Sequence, residues 1–183
     1  MKKALIIVDV QLDFLPGGSL AIKDGDKIID TINCIKNDFD LIVLTQDWHP
    51  KDHCSFKQWP VHCVQNTLGA EIHPGILANI RPLTLNIQKG WNKDVDSYSA
   101  FYDNDHKTST GLTQMLRDEG VKQVTVVGLA TDFCIKYTAL DAVKDGFGTT
   151  VVINACKPVD SSIENLTKIA EEFNEANIAQ IIY

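Results

Sequence analysis

The stretch Val121–Cys134, VKQVTVVGLATDFC, decides the fold. Its β-branched run reads as a buried strand over Val124–Leu129. The small residues Gly128, Ala130 and Thr131 then form a turn that opens into the helical spacing of Ile135, Ala139, Ala142 and Val143. A buried strand that runs straight into an amphipathic helix is the repeating unit of an α/β domain with a largely parallel sheet.

The same alternation extends in both directions. Further strands are predicted at Ala4–Val8, Leu41–Thr45 and Leu83–Gln88 before this stretch, and at Thr149–Asn154 and Ala179–Ile182 after it. Helical faces recur in Ile28, Ile32 and Ile35, in Leu112, Met115 and Leu116, and in Leu166, Ile169, Ala170 and Phe173. Gly120 and Gly146 stand where helix C-terminal caps belong, and Ser161 with Glu164 has capping-box spacing. Two segments escape the scheme, Gln46–Arg81 and Gly90–Lys107. Both are polar and aromatic, and long irregular segments of that kind in a compact domain are usually functional.

Bulk properties narrow the field. A length of 183 residues with 44% hydrophobic content suits one domain over residues 1–183. The formal charge of −7, with scattered basic residues, argues against nucleic acid and anionic membrane as partners. No stretch has the length needed to span a bilayer. The apolar opening MKKALIIVDV is broken at Asp9 and reads as a strand rather than a secretory signal. Five cysteines, Cys34, Cys54, Cys63, Cys134 and Cys156, are odd in number and too sparse for a disulfide scaffold, so a cytoplasmic, reducing setting is expected.

Three residues are expected at the carboxyl edge of the sheet, where open α/β folds place their sites. Asp9 ends the first strand, Lys89 ends the third, and Cys134 lies in the first turn after the fourth. Each alone has an ordinary structural reading: a turn-capping acid, a surface lysine, a small buried thiol. Together they suggest a nucleophilic cysteine whose pKa is lowered by the helix dipole, beside a carboxylate base and a cation. The turn at Gly128, Ala130 and Thr131 would let backbone N–H groups converge on an oxyanion.

The motif DWHPKDHCSF, followed by WPVHC, places His49, His53 and His62 close to Asp47. Asp47 and His49 point the same way on an extended backbone, and His62 returns from the loop. One carboxylate and two imidazoles suit a divalent ion with open positions: zinc first, with iron and manganese as alternatives. His53 is a further candidate ligand or outer group. Cys54 and Cys63 are discounted, because each neighbours a candidate histidine and so points the other way. Phe14, Trp59, Trp91 and Tyr98 either pin the irregular loops to the core or wall a pocket for a flat ring.

These residues resemble the isochorismatase-like cysteine hydrolases, and within them the nicotinamidases. The matching stretches are IIVDVQLDFLPGGSL, TQDWHPKDHCSF, WPVHCVQNTLGAEIHP, QKGWNKDVDSYSAFYDN and VVGLATDFC. VDVQ and ATDFC are common to the wider family, whereas DWHP with WPVHC is the more specific pair. Beyond the helix after Cys134 only the strand and helix pattern matches. The resemblance implies a three-layer α/β/α domain with the first and fourth strands adjacent, and a catalytic triad of Asp9, Lys89 and Cys134. It implies a cis peptide before Ala130 and an oxyanion hole of the Ala130 and Cys134 N–H groups. It also implies a metal on Asp47, His49 and His62, with nicotinamide as substrate and its ring held by Phe14, Trp59 and Tyr98. It leaves the metal's identity, the cleavage of pyrazinamide and homo-oligomer formation open. The competing readings are a metal-free hydrolase of carbamoyl or ureide compounds and a metal-binding redox module without turnover.

Overall fold

A computed structural model describes residues 1–183. Six parallel strands form one sheet in the order β3-β2-β1-β4-β5-β6. They are β1 (Lys2–Val8), β2 (Leu41–Asp47), β3 (Leu83–Lys89), β4 (Val121–Leu129), β5 (Gly148–Lys157) and β6 (Ala179–Ile181). Each contains most or all of the segment expected from its apolar run. The first two connections run one way across the sheet and the later ones run the other, so the switch point lies between β1 and β4. The expected adjacency of the first and fourth strands is met.

The helices are α1 (Ile28–Ile35), α2 (Pro74–Leu77), α3 (Leu112–Asp118), α4 (Lys136–Lys144) and α5 (Ile163–Glu175). Because side chains alternate along a strand, β1 feeds two separate cores. Ala4, Ile6 and Val8 pack with Leu112, Leu116, Ala139, Ala142, Ile169 and Phe173 of α3, α4 and α5. Leu5 and Ile7 pack with Ile28, Ile32 and Ile35 of α1 and Ile76 of α2. This is the three-layer α/β/α arrangement.

Gly120 and Gly146 follow their helices with φ of +73° and +90°, as helix stops of this type require. Three readings need correction. Met115 and Leu166 are exposed, because they sit at the edge of their helical stripes rather than at the centre. The N-cap of α5 is Ser162, not Ser161: its Oγ accepts the Asn165 N–H at 3.3 Å. The register is set from outside, since the Asp132 carboxylate accepts the N–H groups of Val159 and Asp160 and fixes where the chain enters the helix. The short α2 lay hidden in a segment read as irregular; Pro74 begins it after His73, whose Nδ1 accepts the Gly75 N–H. No helix is long and apolar enough to cross a membrane.

β1 and β4 approach closely at Gly128, whose φ is +119° and where a Cβ would lie 2.1 Å from the Val8 carbonyl oxygen. Only glycine fits there. It lets the ends of β1 and β4 deliver Asp9 and Cys134 to the same point.

Candidate active site

Asp9 leaves β1 with φ +51°, a left-handed conformation that aspartate tolerates. Its carboxylate is fully buried; Oδ1 accepts from Thr45 Oγ1 at 2.5 Å and Oδ2 lies 2.9 Å from Lys89 Nζ. Lys89, at the last position of β3, is equally buried. Its ammonium reaches Asp47 Oδ1 at 2.5 Å, the Ser97 carbonyl at 2.9 Å and Cys134 Sγ at 3.5 Å. Two carboxylates, one ammonium and one thiol thus share a water-excluded point at the switch of the sheet.

The ionisation of the cluster follows from this crowding. Burial pushes the Asp9 carboxyl up, against the pull of Lys89, and the charge of Asp47 pushes the same way as burial. Burial alone would favour neutral Lys89, yet Asp47 and Asp9 hold its pKa well above the ordinary lysine value. Burial would likewise protonate Asp47, but Lys89 and then His49 outweigh it and keep that carboxyl well below its usual range.

The expected lowering of the Cys134 pKa is corrected here. Burial raises this thiol well above the ordinary value despite Lys89, and Asp9 and Asp47 add to the rise. The residue also sits in a wide π turn, Thr131–Ile135, ahead of α4 rather than in a regular first turn. The thiol is therefore protonated at rest, and its proton needs an acceptor during reaction.

The Leu129–Ala130 peptide is cis, as the resemblance implied. The Ala130 carbonyl accepts the N–H groups of Phe133 and Ile135 at 3.1 and 3.0 Å, which ties the turn beneath Cys134. The Ala130 N–H itself has no backbone acceptor.

Asp47, at the end of β2, also faces the histidines. Its Oδ2 lies 3.6 Å from His49 Nε2 and 4.0 Å from His62 Nε2, and the three side chains form one cluster of close donor atoms. His62 returns because residues 63–65 pair with His49: the His49 N–H donates to the Cys63 carbonyl at 3.0 Å and the Gln65 N–H to the His49 carbonyl at 2.9 Å. His49 Nδ1 donates to the Gly90 carbonyl at 2.8 Å and His62 Nδ1 to the Pro60 carbonyl at 2.7 Å. Those carbonyls place the proton on Nδ1 of each ring and leave both Nε2 lone pairs directed at the cluster. The donor set fits a divalent ion. Gly90 is needed here, since a Cβ would lie 2.5 Å from His49 Cε1.

His53 stands apart from those three donors. It stacks on His49 with ring centroids 4.0 Å apart, and its Nδ1 accepts the Ser55 N–H, so its neutral tautomer carries the proton on a buried Nε2. It also forms a second donor group with His49 and Asp96. Neither Cys54 nor Cys63 enters a donor cluster.

A pocket opens over the cluster, lined by Phe14, Trp59, Tyr98, Phe133, Ala130, Cys134, Asp47 and His62, with Leu20, Ile22, Asp96, Leu129 and Val159 around them. The Trp59 indole N–H lies 3.4 Å from Tyr98 Oη, and both rings pack on Phe133. The three aromatics expected to bind a ring are thus brought together, while Trp91 is half exposed and lies elsewhere. Phe133 and Asp96 were missed. Phe133 lies outside the helical spacing of Ile135, Ala139, Ala142 and Val143, so no periodicity orients it, and Asp96 lies in a loop with none.

The isochorismatase domain family matches residues 3–181, so the chain belongs to that family. Within it, the chain stands with the nicotinamidases. The nicotinamidase of Acinetobacter baylyi is 46% identical over 177 residues, which are 86% of this chain and 82% of that protein. A protein of L. infantum solved in complex with nicotinate superimposes with TM-score 0.93 at 39% identity, over 99% of this chain and 92% of that one. The pyrazinamidase of Pyrococcus horikoshii, solved in complex with zinc, gives 0.87 at 38% identity over the whole of both chains.

Proposed function

We propose that this chain hydrolyses the carboxamide of nicotinamide to nicotinate and ammonia, with Cys134 as nucleophile, Asp9 as proton carrier and Lys89 as their counter-charge. The observation that carries the reading is the Lys89 ammonium, in contact at once with Asp9, Asp47 and Cys134 Sγ beneath an aromatic pocket. Nicotinamidases at up to 46% identity, and a fold that in L. infantum holds nicotinate, support the substrate. Five free thiols accord with a reducing cytoplasm.

The pyridine ring lies against Phe14, Trp59 and Tyr98, with its amide over Cys134. A divalent ion on Asp47, His49 and His62 would supply an electrophilic anchor for the ring nitrogen; zinc, iron or manganese suits the donors, and the zinc complex from Pyrococcus horikoshii supports the first. Asp9 takes the Sγ proton as sulfur attacks the amide carbon. The N–H groups of Ala130 and Cys134 receive the developing oxyanion. Collapse breaks the C–N bond, and Asp9 returns the proton to the departing ammonia, leaving a thioester. Water, giving its proton to Asp9, then attacks the acyl carbon. The C–S bond breaks, the acid leaves and gives its carboxyl proton to solvent as nicotinate, and the proton on Asp9 passes back to sulfur. Lys89 stays protonated throughout and favours the anionic form of Asp9, opposing the rise that burial and Asp47 impose on that carboxyl.

Ammonia release from nicotinamide, assayed with and without chelator, tests the reading. The Cys134→Ala variant is expected to release none while keeping the wild-type metal content; substantial residual turnover would remove Cys134 as nucleophile. Chelation is expected to raise KM far more than it lowers kcat. Release from carbamoyl or ureide compounds but not from nicotinamide would replace the substrate assignment.

A further inference from the structure

The segment after Asp9 holds two polar side chains that the chemistry above does not use. Gln11 is fully buried. Its Nε2 donates to the Asp47 carbonyl at 2.8 Å and to the Ala70 carbonyl at 2.9 Å, while its Oε1 accepts the Asp47 N–H at 2.8 Å. The amide therefore grips both backbone groups of Asp47, as a neighbouring strand would. Two residues on, Asp13 Oδ2 accepts the Cys63 N–H at 2.7 Å, and Oδ1 accepts the Ser19 N–H at 3.3 Å. Cys63 follows His62 directly, so the bonded N–H belongs to the peptide group that joins the two, and Cys63 itself has φ +46°. The Asp13 carboxylate also fills the space beside Gly69, where a Cβ would lie 2.1 Å from Oδ2.

We infer that Gln11 and Asp13 are positioning residues of the metal site, Gln11 setting Asp47 and Asp13 setting His62; this rests on the reading that Asp47, His49 and His62 hold a metal. One short segment thereby supplies the base Asp9, fixes two of three ligands and contributes the pocket wall Phe14. Outer partners of this kind typically change metal affinity 10- to 100-fold when removed. Most known outer partners act on a ligand's side chain. These act on ligand backbone, which fixes where the side chain starts.

The test is zinc affinity, measured by competition with a chromophoric chelator on the purified protein. Asp13→Ala is expected to weaken zinc binding roughly 10- to 100-fold. Asp13→Asn keeps an oxygen for the Cys63 N–H and is expected to bind within a few-fold of wild type. Gly69→Ala, which leaves Asp13 in place chemically but crowds its carboxylate, is expected to reproduce the loss, as is Gln11→Ala. At limiting zinc the weakened variants are expected to show raised KM with little change in kcat, and the defect is expected to vanish at saturating zinc. A general loss of folding would not respond to zinc in that way. Wild type that binds zinc alongside Asp13→Ala, Gly69→Ala and Gln11→Ala variants of equal affinity overturns the positioning role alone. Wild type that takes up none of zinc, iron and manganese overturns the metal reading and this inference with it.

Discussion

Lys89 is the residue on which the site turns. A buried ammonium is costly on its own, and so is each carboxylate beside it; the three are stable together because their charges alternate. Removing the lysine is expected to do more than abolish turnover. In Lys89→Ala, Asp9 and Asp47 face each other in a dry pocket, and a loss of about 3–5 kcal/mol is expected from urea unfolding. A variant as stable as wild type would mean that water or protonation relieves the pair without cost. Cys134 teaches a related lesson, since its place before a helix suggested an acidified thiol while burial decides the opposite. Sequence position reports the dipole, but depth below the surface becomes known only when the chain is folded.

At the level of elements, β4 controls the site through its neighbours. Its register shifts between Val126 and Gly128, so that Gly128 stands opposite Cys156 of β5. Burial pushes the Cys156 thiol up to about 12, from an ordinary value of 9.0. The unfolded chain releases that proton first, so the stability involved is complete below about pH 9 and is lost as pH rises towards 12. Across that window unfolding experiments are expected to show wild type losing about 1.4 kcal/mol more per pH unit than Cys156→Ala. Parallel curves would show that Cys156 ionises freely in the native state.

All six strands and four of five helices were legible as periodic apolar runs, because that pattern is what burial imposes. Asp9 and Lys89 were legible because they stand at the ends of β1 and β3, and Cys134 because it lies in the turn just after β4; the carboxyl ends of strands have a fixed place in this fold. The loops were legible only as motifs. Gln11, Asp13, Asp96 and Phe133 act through contacts between loops, which no local pattern announces, and the N-cap at Ser162 depends on Asp132, thirty residues earlier.

Across the whole molecule, the candidate ligands join β2 to the long loop ending at His62, so metal binding is coupled to folding. A metal that binds only the native chain at a thousand times its Kd adds about 4 kcal/mol. Zinc is therefore expected to raise the melting temperature of the chelator-treated protein, by on the order of 10 °C at this chain length. An unshifted melt in scanning calorimetry would place the ligand cluster outside the cooperative structure. The fold also joins what a protein engineer would prefer separate. Asp47 gives one oxygen to the histidine side and the other to Lys89. A designer converting this pocket to a metal-free substrate can redraw His49 or His62 and leave the nucleophile's surroundings intact. Redrawing Asp47 changes substrate choice and reactivity in one stroke, so the route to new specificity runs through the imidazoles.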